Sequence, residues 1–379
     1  MQGTYKLAVV TGITGQDGSY LSELLLDKGY MVVGVKRRSS TNTTGRLTPE
    51  VLDNENFELI EGDVTDPSSI NHIVNEYKPD EWYNLCGQTH VATSFKQPLY
   101  TFQVNSVGVL NVLESIRLLS PKTKLLQASS SEMFGSNYQE KLYYKDPETG
   151  PNWPPVLYKK EKYQDEKTPL APNSPYAVSK VAAHHLVDNY RKAYGLHASC
   201  SICYNHGSPR RGEEFVTRKI TKWIGQFYRW KQDYNVQSFI SDNIISTPEY
   251  RNTSGRGSKF PRLRLGNLDA FRDWGHAKDY VSAYWMMLQQ DSPSDFVIAT
   301  GETHSVKDFV KEAFQCIDID NWEDYIVIDP KFYRPVEVDY LLGDASKAKE
   351  KLGWEPTIGF KELVKEMVEA DITRSIHEA

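Results

Sequence analysis

Apolar residues fall along this chain in two alternating rhythms. Short continuous runs at 6–11, 30–36, 57–61, 81–85, 124–128 and 197–204 have the length and composition of strands. Between them, 18–28, 69–77 and 99–119 repeat apolar positions with helical spacing, as helices buried along one face do. Pro175 marks the start of another helix, since its fixed φ and missing N–H suit a first helical position. Strands alternating with helices of this length imply crossover connections and a parallel sheet.

The pattern predicts an α/β fold, a Rossmann-type doubly wound parallel sheet over 1–204 with 268–301 returning to it. A smaller, mixed α/β C-terminal substrate domain is expected from 205–267 and 302–379. Two stretches break the alternation. Residues 138–167 are polar, aromatic and dotted with Pro147, Pro151, Pro154 and Pro155, and read as an irregular excursion over the site. Residues 233–259 read as a second polar loop.

Composition narrows the class. With 379 residues and 39% apolar content, the chain can bury a sizeable core. A net charge of -6 argues against a general nucleic-acid binder. No apolar run approaches the length needed to span a bilayer, and the short run at 6–10 leads straight into a glycine turn, as a first strand would. Cys86, Cys200, Cys203 and Cys316 are too few and scattered for a disulfide framework. Cys200 and Cys203 face opposite ways if their run is a strand, so they read as buried thiols, and no metal site is expected. A reducing, cytoplasmic compartment fits.

Candidate chemistry begins at Thr11–Gly18. Gly12, Gly15 and Gly18, with Thr14, Gln16 and Asp17 between them, join the first strand to the first helix. Such a turn lets a pyrophosphate approach the helix N-terminus, so a dinucleotide site is expected there. The second strand ends in Lys36-Arg37-Arg38-Ser39-Ser40, where a carboxylate would mark NAD. Arg37 and Arg38 instead suit a 2′-phosphate, which predicts NADP. Asp63 and Val64 are placed to meet the adenine, and Leu85 to Gln88 to border the dinucleotide.

Tyr176 and Lys180 are four apart, hence on one face of a helix. An ammonium beside a phenol is expected to draw the phenol pKa down towards working pH. Ser129 to Glu132 precede them, adding hydroxyls and a carboxylate. Arg218, Lys219, Arg272 and Arg334 concentrate cations in loops and at one helix start, which suits a diphosphate ligand.

Together, Thr11–Gly18, Tyr176-x-x-x-Lys180 and the alternating pattern resemble the extended short-chain dehydrogenase/reductases. Within these, the runs 11–21, 36–40, 205–212, 265–280 and 334–344 look like those of the 4,6-dehydratases that act on GDP-hexoses. The resemblance covers nearly the whole chain outside the two irregular stretches. It implies a GDP-sugar substrate, GDP-mannose by expectation, with a GDP-heptose, a 4-epimerase or a reductase as alternatives. It further implies Ser130, Glu132, Tyr176 and Lys180 as catalytic residues, and His206 and Arg211, with Lys180, at the NADP. Asn205, Arg218, Lys219, Gly266, Arg272, Arg334 and Glu337 are expected at the sugar nucleotide. A homo-oligomer, tetramer or dimer, is implied as well. The family has threonine where Ser130 stands, and a shorter loop between Glu132 and Tyr176.

Overall fold

The computed structural model describes residues 5–145, 156–233 and 260–377. Its centre is a seven-stranded sheet, ordered Phe296–Ile298, Ala198–Cys203, Lys124–Ala128, Glu81–Asn84, Leu7–Thr11, Met31–Lys36, Phe57–Glu61. Every neighbouring pair is parallel. The first strand lies between the second and fourth, so chain order reverses across it. In an open parallel sheet this opens a crevice at the carboxyl ends of the strands.

Helices cover both faces. Gln16–Asp27 and Ala277–Leu288 bury Leu21, Leu25, Tyr280 and Tyr284 against one side. Pro67–Tyr77, Gly108–Leu119 and Pro175–Tyr194 bury Ile70, Val112, Leu113 and Val187 against the other. Cys200 packs on the second side and Cys203 on the first, and both are free, buried thiols. A separate apolar cluster is built by Val216–Asp233, Val306–Gln315 and Phe360–His377 around Trp223, Phe309, Phe314 and Met367. No helix of the described residues is long and apolar enough to cross a membrane.

Three local expectations change. The first helix starts at Gln16, so Gln16 and Asp17 belong to its first turn. The helix expected at 99–119 is interrupted: Pro98–Phe102 passes into a π-helical turn, Gln103–Val107, before Gly108–Leu119. That turn carries Asn105, whose side chain holds the Gln88 backbone and Ser179 (2.9–3.1 Å), a demand the apolar periodicity does not register. The stretch read as irregular contains an antiparallel hairpin, Gln139–Lys145 with Val156–Tyr163. Its tyrosines favour strand, and Pro147, Pro151, Pro154 and Pro155 lie outside the described residues. Most of 233–259 also lies outside them.

Candidate active site

A cavity of about 1230 Å³ runs from the glycine turn, past the carboxyl ends of the central strands, to the second apolar cluster. It exceeds the range of about 300–1,000 Å³ common for a single small ligand. Gly12 has φ 77°, and a Cβ there would sit 2.7 Å from the Cys86 nitrogen. Only glycine lets this turn pass so close to the fourth strand. The following helix has Gly15 as its N-cap and no side-chain cap, leaving the positive end of its dipole towards the cavity. Thr14, Gln16 and Gly18 line the cavity beside it.

Asp17 is already engaged. Its carboxylate meets His206 Nε2 at 2.8 Å and accepts the Tyr284 hydroxyl at 3.0 Å. Burial alone would raise this carboxyl; the His206 charge and the hydrogen bonds from His206, Gln16 and Tyr284 outweigh it and hold it well below the usual range. His206 in turn stacks on Tyr280, with ring centroids 4.2 Å apart. Arg211 donates to the His206 carbonyl and lies 4.0 Å over the Phe215 ring. Its buried Nε, like the buried Oδ1 of Asn205, has no hydrogen-bond partner among the described residues. Both residues line the cavity, and such orphan atoms fit a polar ligand.

Beyond the second and third strands, where the adenosine was expected, Arg37, Arg46, Asp63 and Val64 line the cavity. Arg37 donates to the Tyr100 hydroxyl at 2.7 Å. Arg46, unmarked in the sequence as a ligand residue, reaches in from the following loop and donates to the Arg210 carbonyl at 2.7 Å. Arg38 is outside the lining. So is Gln88, whose amide is spent on Thr101 and on the His90 nitrogen, although Leu85, Cys86 and Gly87 just before it line the cavity.

The strand Lys124–Ala128 delivers the serine cluster into a 3₁₀ turn, Ser131–Phe134. Ser130 caps that turn, its Oγ accepting from Glu132 N at 3.2 Å. Opposite, Ser174 caps the helix Pro175–Tyr194 by accepting from Ala177 N at 3.0 Å, which places Tyr176 in the first turn and Lys180 one turn later. The Ser130 hydroxyl lies close enough to the Tyr176 phenol to favour its ionised form. All four residues are buried and line the cavity.

The expected electrostatics need correction here. Lys180 Nζ donates to the Ala128 carbonyl at 2.8 Å and stands 5.9 Å from the Tyr176 ring centroid. Burial pushes the Tyr176 phenol up, the Ser130 hydroxyl offsets this in part, and the Glu132 charge adds to the rise. Burial pushes the Lys180 ammonium down. The lysine alone does not lower the phenol, because desolvation of the phenolate is the larger effect.

Four charges meet beside the turn. Arg334 NH1 lies 3.2 Å from Glu132 Oε1 and 3.5 Å from Glu337, and Arg272 NH2 lies 2.7 Å from Glu337. Further out, Lys219 stands 3.4 Å over the Phe332 ring, and Gly266 lets the Phe332 carbonyl approach. Arg218 does not join them. It pairs with the buried Asp371 at 2.7 Å and donates to the Pro209 and Arg211 carbonyls, outside the cavity lining. With Nε, NH1 and one NH2 hydrogen engaged, this buried guanidinium holds a loop in place, away from the cavity. No group of three or more metal-ligating side chains occurs among the described residues.

A glycine turn on an uncapped helix, an arginine just after the second strand and a Ser–Tyr–Lys set at the strand ends define an extended short-chain dehydrogenase/reductase. A resident dinucleotide fits the volume of the cavity, the orphan Nε donor of Arg211 and the orphan Oδ1 acceptor of Asn205. The sequence pattern of the NAD dependent epimerase/dehydratase family matches residues 8–299, and that described as GDP-mannose 4,6 dehydratase matches 245–367. GDP-mannose 4,6 dehydratase 1 of Arabidopsis thaliana is 46% identical over 97% of this chain and 90% of its own length. The Homo sapiens GDP-mannose 4,6 dehydratase is 42% identical over 97% and 91%. The chain belongs to the family of GDP-mannose 4,6-dehydratases. The fold is shared more widely: dTDP-glucose 4,6-dehydratase from Bacillus anthracis, solved in complex with NAD, superposes with a TM-score of 0.71 over 96% of each chain at 20% identity.

Proposed function

We propose that this chain converts GDP-mannose to GDP-4-keto-6-deoxymannose with loss of water, using tightly held NADP. The observation that carries the reading is Glu132, a buried carboxylate two residues from Ser130 and electrostatically coupled to Tyr176. A 4-epimerase or reductase on this scaffold needs a hydroxyl, a tyrosine and a lysine, but no carboxylate base at that place.

When bound, NADP supplies the acceptor for the C4 hydride, the donor that returns it to C6, and a pyridinium charge beside the phenol. Tyr176 takes the proton of the sugar 4-hydroxyl as C4 is oxidised. Ser130, beside Tyr176 at the end of the central strand, steadies the 4-keto oxygen. The ketone acidifies C5–H. Glu132 removes that proton and delivers it to the departing C6 hydroxyl, so water leaves and the carboxylate is regenerated; C5 regains a proton as C6 is reduced, balanced by the one Tyr176 took from the 4-hydroxyl, so both groups return to their starting states. Lys180, fixed by the Ala128 carbonyl, holds the dinucleotide and adds positive charge near Tyr176.

Arg37 at the adenosine end supports NADP over NAD, with Arg46 as a second cation. Arg272, Arg334, Glu337, Lys219 and Gly266 form the sugar-nucleotide end, carried by the second apolar cluster and its connections. Arg218 is assigned to loop support. Residues 1–204 with 268–301 would act as the dinucleotide-binding body and the remainder as the sugar-nucleotide body. Exposed Leu99, Phe102, Val107 and Val178 on adjoining helices support a homo-oligomer, and light scattering of a monomer would remove that part. The free thiols suit a cytoplasmic setting.

Mass analysis of the product from GDP-mannose with catalytic NADP tests the reading. Loss of one water without accumulation of NADPH is expected. A product of unchanged mass would make the protein an epimerase, and a stoichiometric demand for NADPH would make it a reductase.

A further inference from the structure

The quartet Glu132, Arg334, Glu337 and Arg272 poses a problem for the chemistry just described. It contains two carboxylates and two guanidinium groups, arranged in alternation with contacts of 3.2, 3.5 and 2.7 Å. Internally neutral, it offers little net attraction to a diphosphate. Glu132, meanwhile, has Oε1 occupied by Arg334, and an oxygen engaged by a guanidinium is poorly placed to take a proton from carbon. The two deficits share one cause, the Arg334–Glu132 contact.

The contact joins parts that differ in freedom. Glu132 is fixed in a capped turn buried among Met133, Phe134 and Tyr204. Arg334 lies on a connection between the Pro330–Phe332 turn and Val338, flanked by Tyr333 and Val336, which are 51% and 49% exposed. Arg272, by contrast, is buried and also tied to the Phe271 carbonyl. Of the two arginines, Arg334 is the one able to change partner.

We propose that Arg334 is a positioning residue that restrains Glu132 in the empty site and releases it when the diphosphate of the sugar nucleotide takes its guanidinium. This rests on the function proposed above and adds to it a coupling between the substrate's phosphates and the base acting at C5. Binding energy from a part of the substrate that does not react is thereby used to free the reacting group. A hexose without the nucleoside diphosphate would leave Glu132 restrained.

The test is the affinity of the NADP-loaded protein for GDP-4-deoxymannose, a pyrophosphate ester with no 4-hydroxyl to oxidise. Calorimetry is run on the native protein, Glu132→Gln, Arg334→Ala and the double variant. Removing the competing carboxylate should tighten binding about tenfold, the scale of one charge-assisted bond, and Arg334→Ala should weaken it. Adding Glu132→Gln to Arg334→Ala should then change nothing, while in an Arg334→Lys background the gain should return. A purely structural role for Arg334 cannot produce that pattern. Glu132→Ala repeats the cycle if the glutamine variant folds poorly. Equal or weaker binding by Glu132→Gln, or the same gain without Arg334, overturns the release mechanism alone. Absence of binding by the native protein overturns the GDP-sugar reading and the release mechanism with it.

Discussion

Gly135→Ala is a demanding perturbation because it tests how the turn that carries Glu132 and the Tyr176 helix are held together. Gly135 ends the Ser131–Phe134 turn at φ 55°, ψ -121°, a conformation open essentially to glycine. A Cβ built there falls 1.8 Å from the Ala171 carbonyl oxygen and 3.3 Å from the Asn173 side chain. Reaching ordinary contact requires a backbone shift of about 1.5 Å. Ala171 N donates to the Met133 carbonyl at 2.9 Å, so the two segments cannot part without losing that bond. Backbone strain of about 1–3 kcal/mol adds to overpacking of about 1–3 kcal/mol. The expected destabilisation is therefore about 4 kcal/mol. Displacement of Glu132 or Tyr176 by about 1 Å should also lower kcat by about 10²-fold. Gly195→Ala is the control, since it has φ 69° but nothing within 4 Å of its Cβ, and should cost only about 1–2 kcal/mol. Denaturant unfolding of both variants, with dehydration rates, measures the difference. Equal stability of the two would refute the steric argument.

Three other outcomes follow from the site. Glu132→Gln should lose about 10²–10⁴ in dehydration and incorporate little deuterium at C5 in heavy water, while Tyr176→Phe should leave the cofactor oxidised; near-native dehydration by Glu132→Gln would remove its assignment. Arg37→Ala should narrow the preference for NADP over NAD by about 1–3 kcal/mol, measured by titrating both cofactors, and equal affinities in the native protein would exclude the 2′-phosphate contact. Burial and the nearby Lys331 charge push Lys219 down to about 8; since its protonated form attracts phosphate, sugar-nucleotide affinity should be full below pH 8 and decline as pH rises through it, and Lys219→Arg should move the decline upward.

What could be read from the sequence was local. The glycine turn, the serine cluster with Glu132, and the Tyr176–Lys180 pair lie within short runs whose spacing fixes their relation. The sheet followed from the same short-range rhythm. Arg218 looked like a ligand residue because it sits with Lys219 at a helix start. Its partner Asp371 lies 153 positions away, so nothing nearby revealed that it was spent. The same distance effect hid the Glu132–Arg334 contact, spanning 202 positions. The π-helical turn at Gln103–Val107 leaves apolar periodicity nearly intact while re-aiming Asn105. The phenol of Tyr176 was misjudged because a pair of charges is visible in a sequence and the desolvation of their surroundings is not.

The central claim is that one carbon-bound hydrogen travels within a single sugar, from C4 to C6. GDP-mannose carrying deuterium at C4 tests it most directly, with product analysed by mass spectrometry and NMR and no NADPH supplied. The account predicts a dehydrated product with the label at C6 and no label in the cofactor pool. Label returned to C4 in a product that has lost no water, or lost to free NADPH, would contradict it.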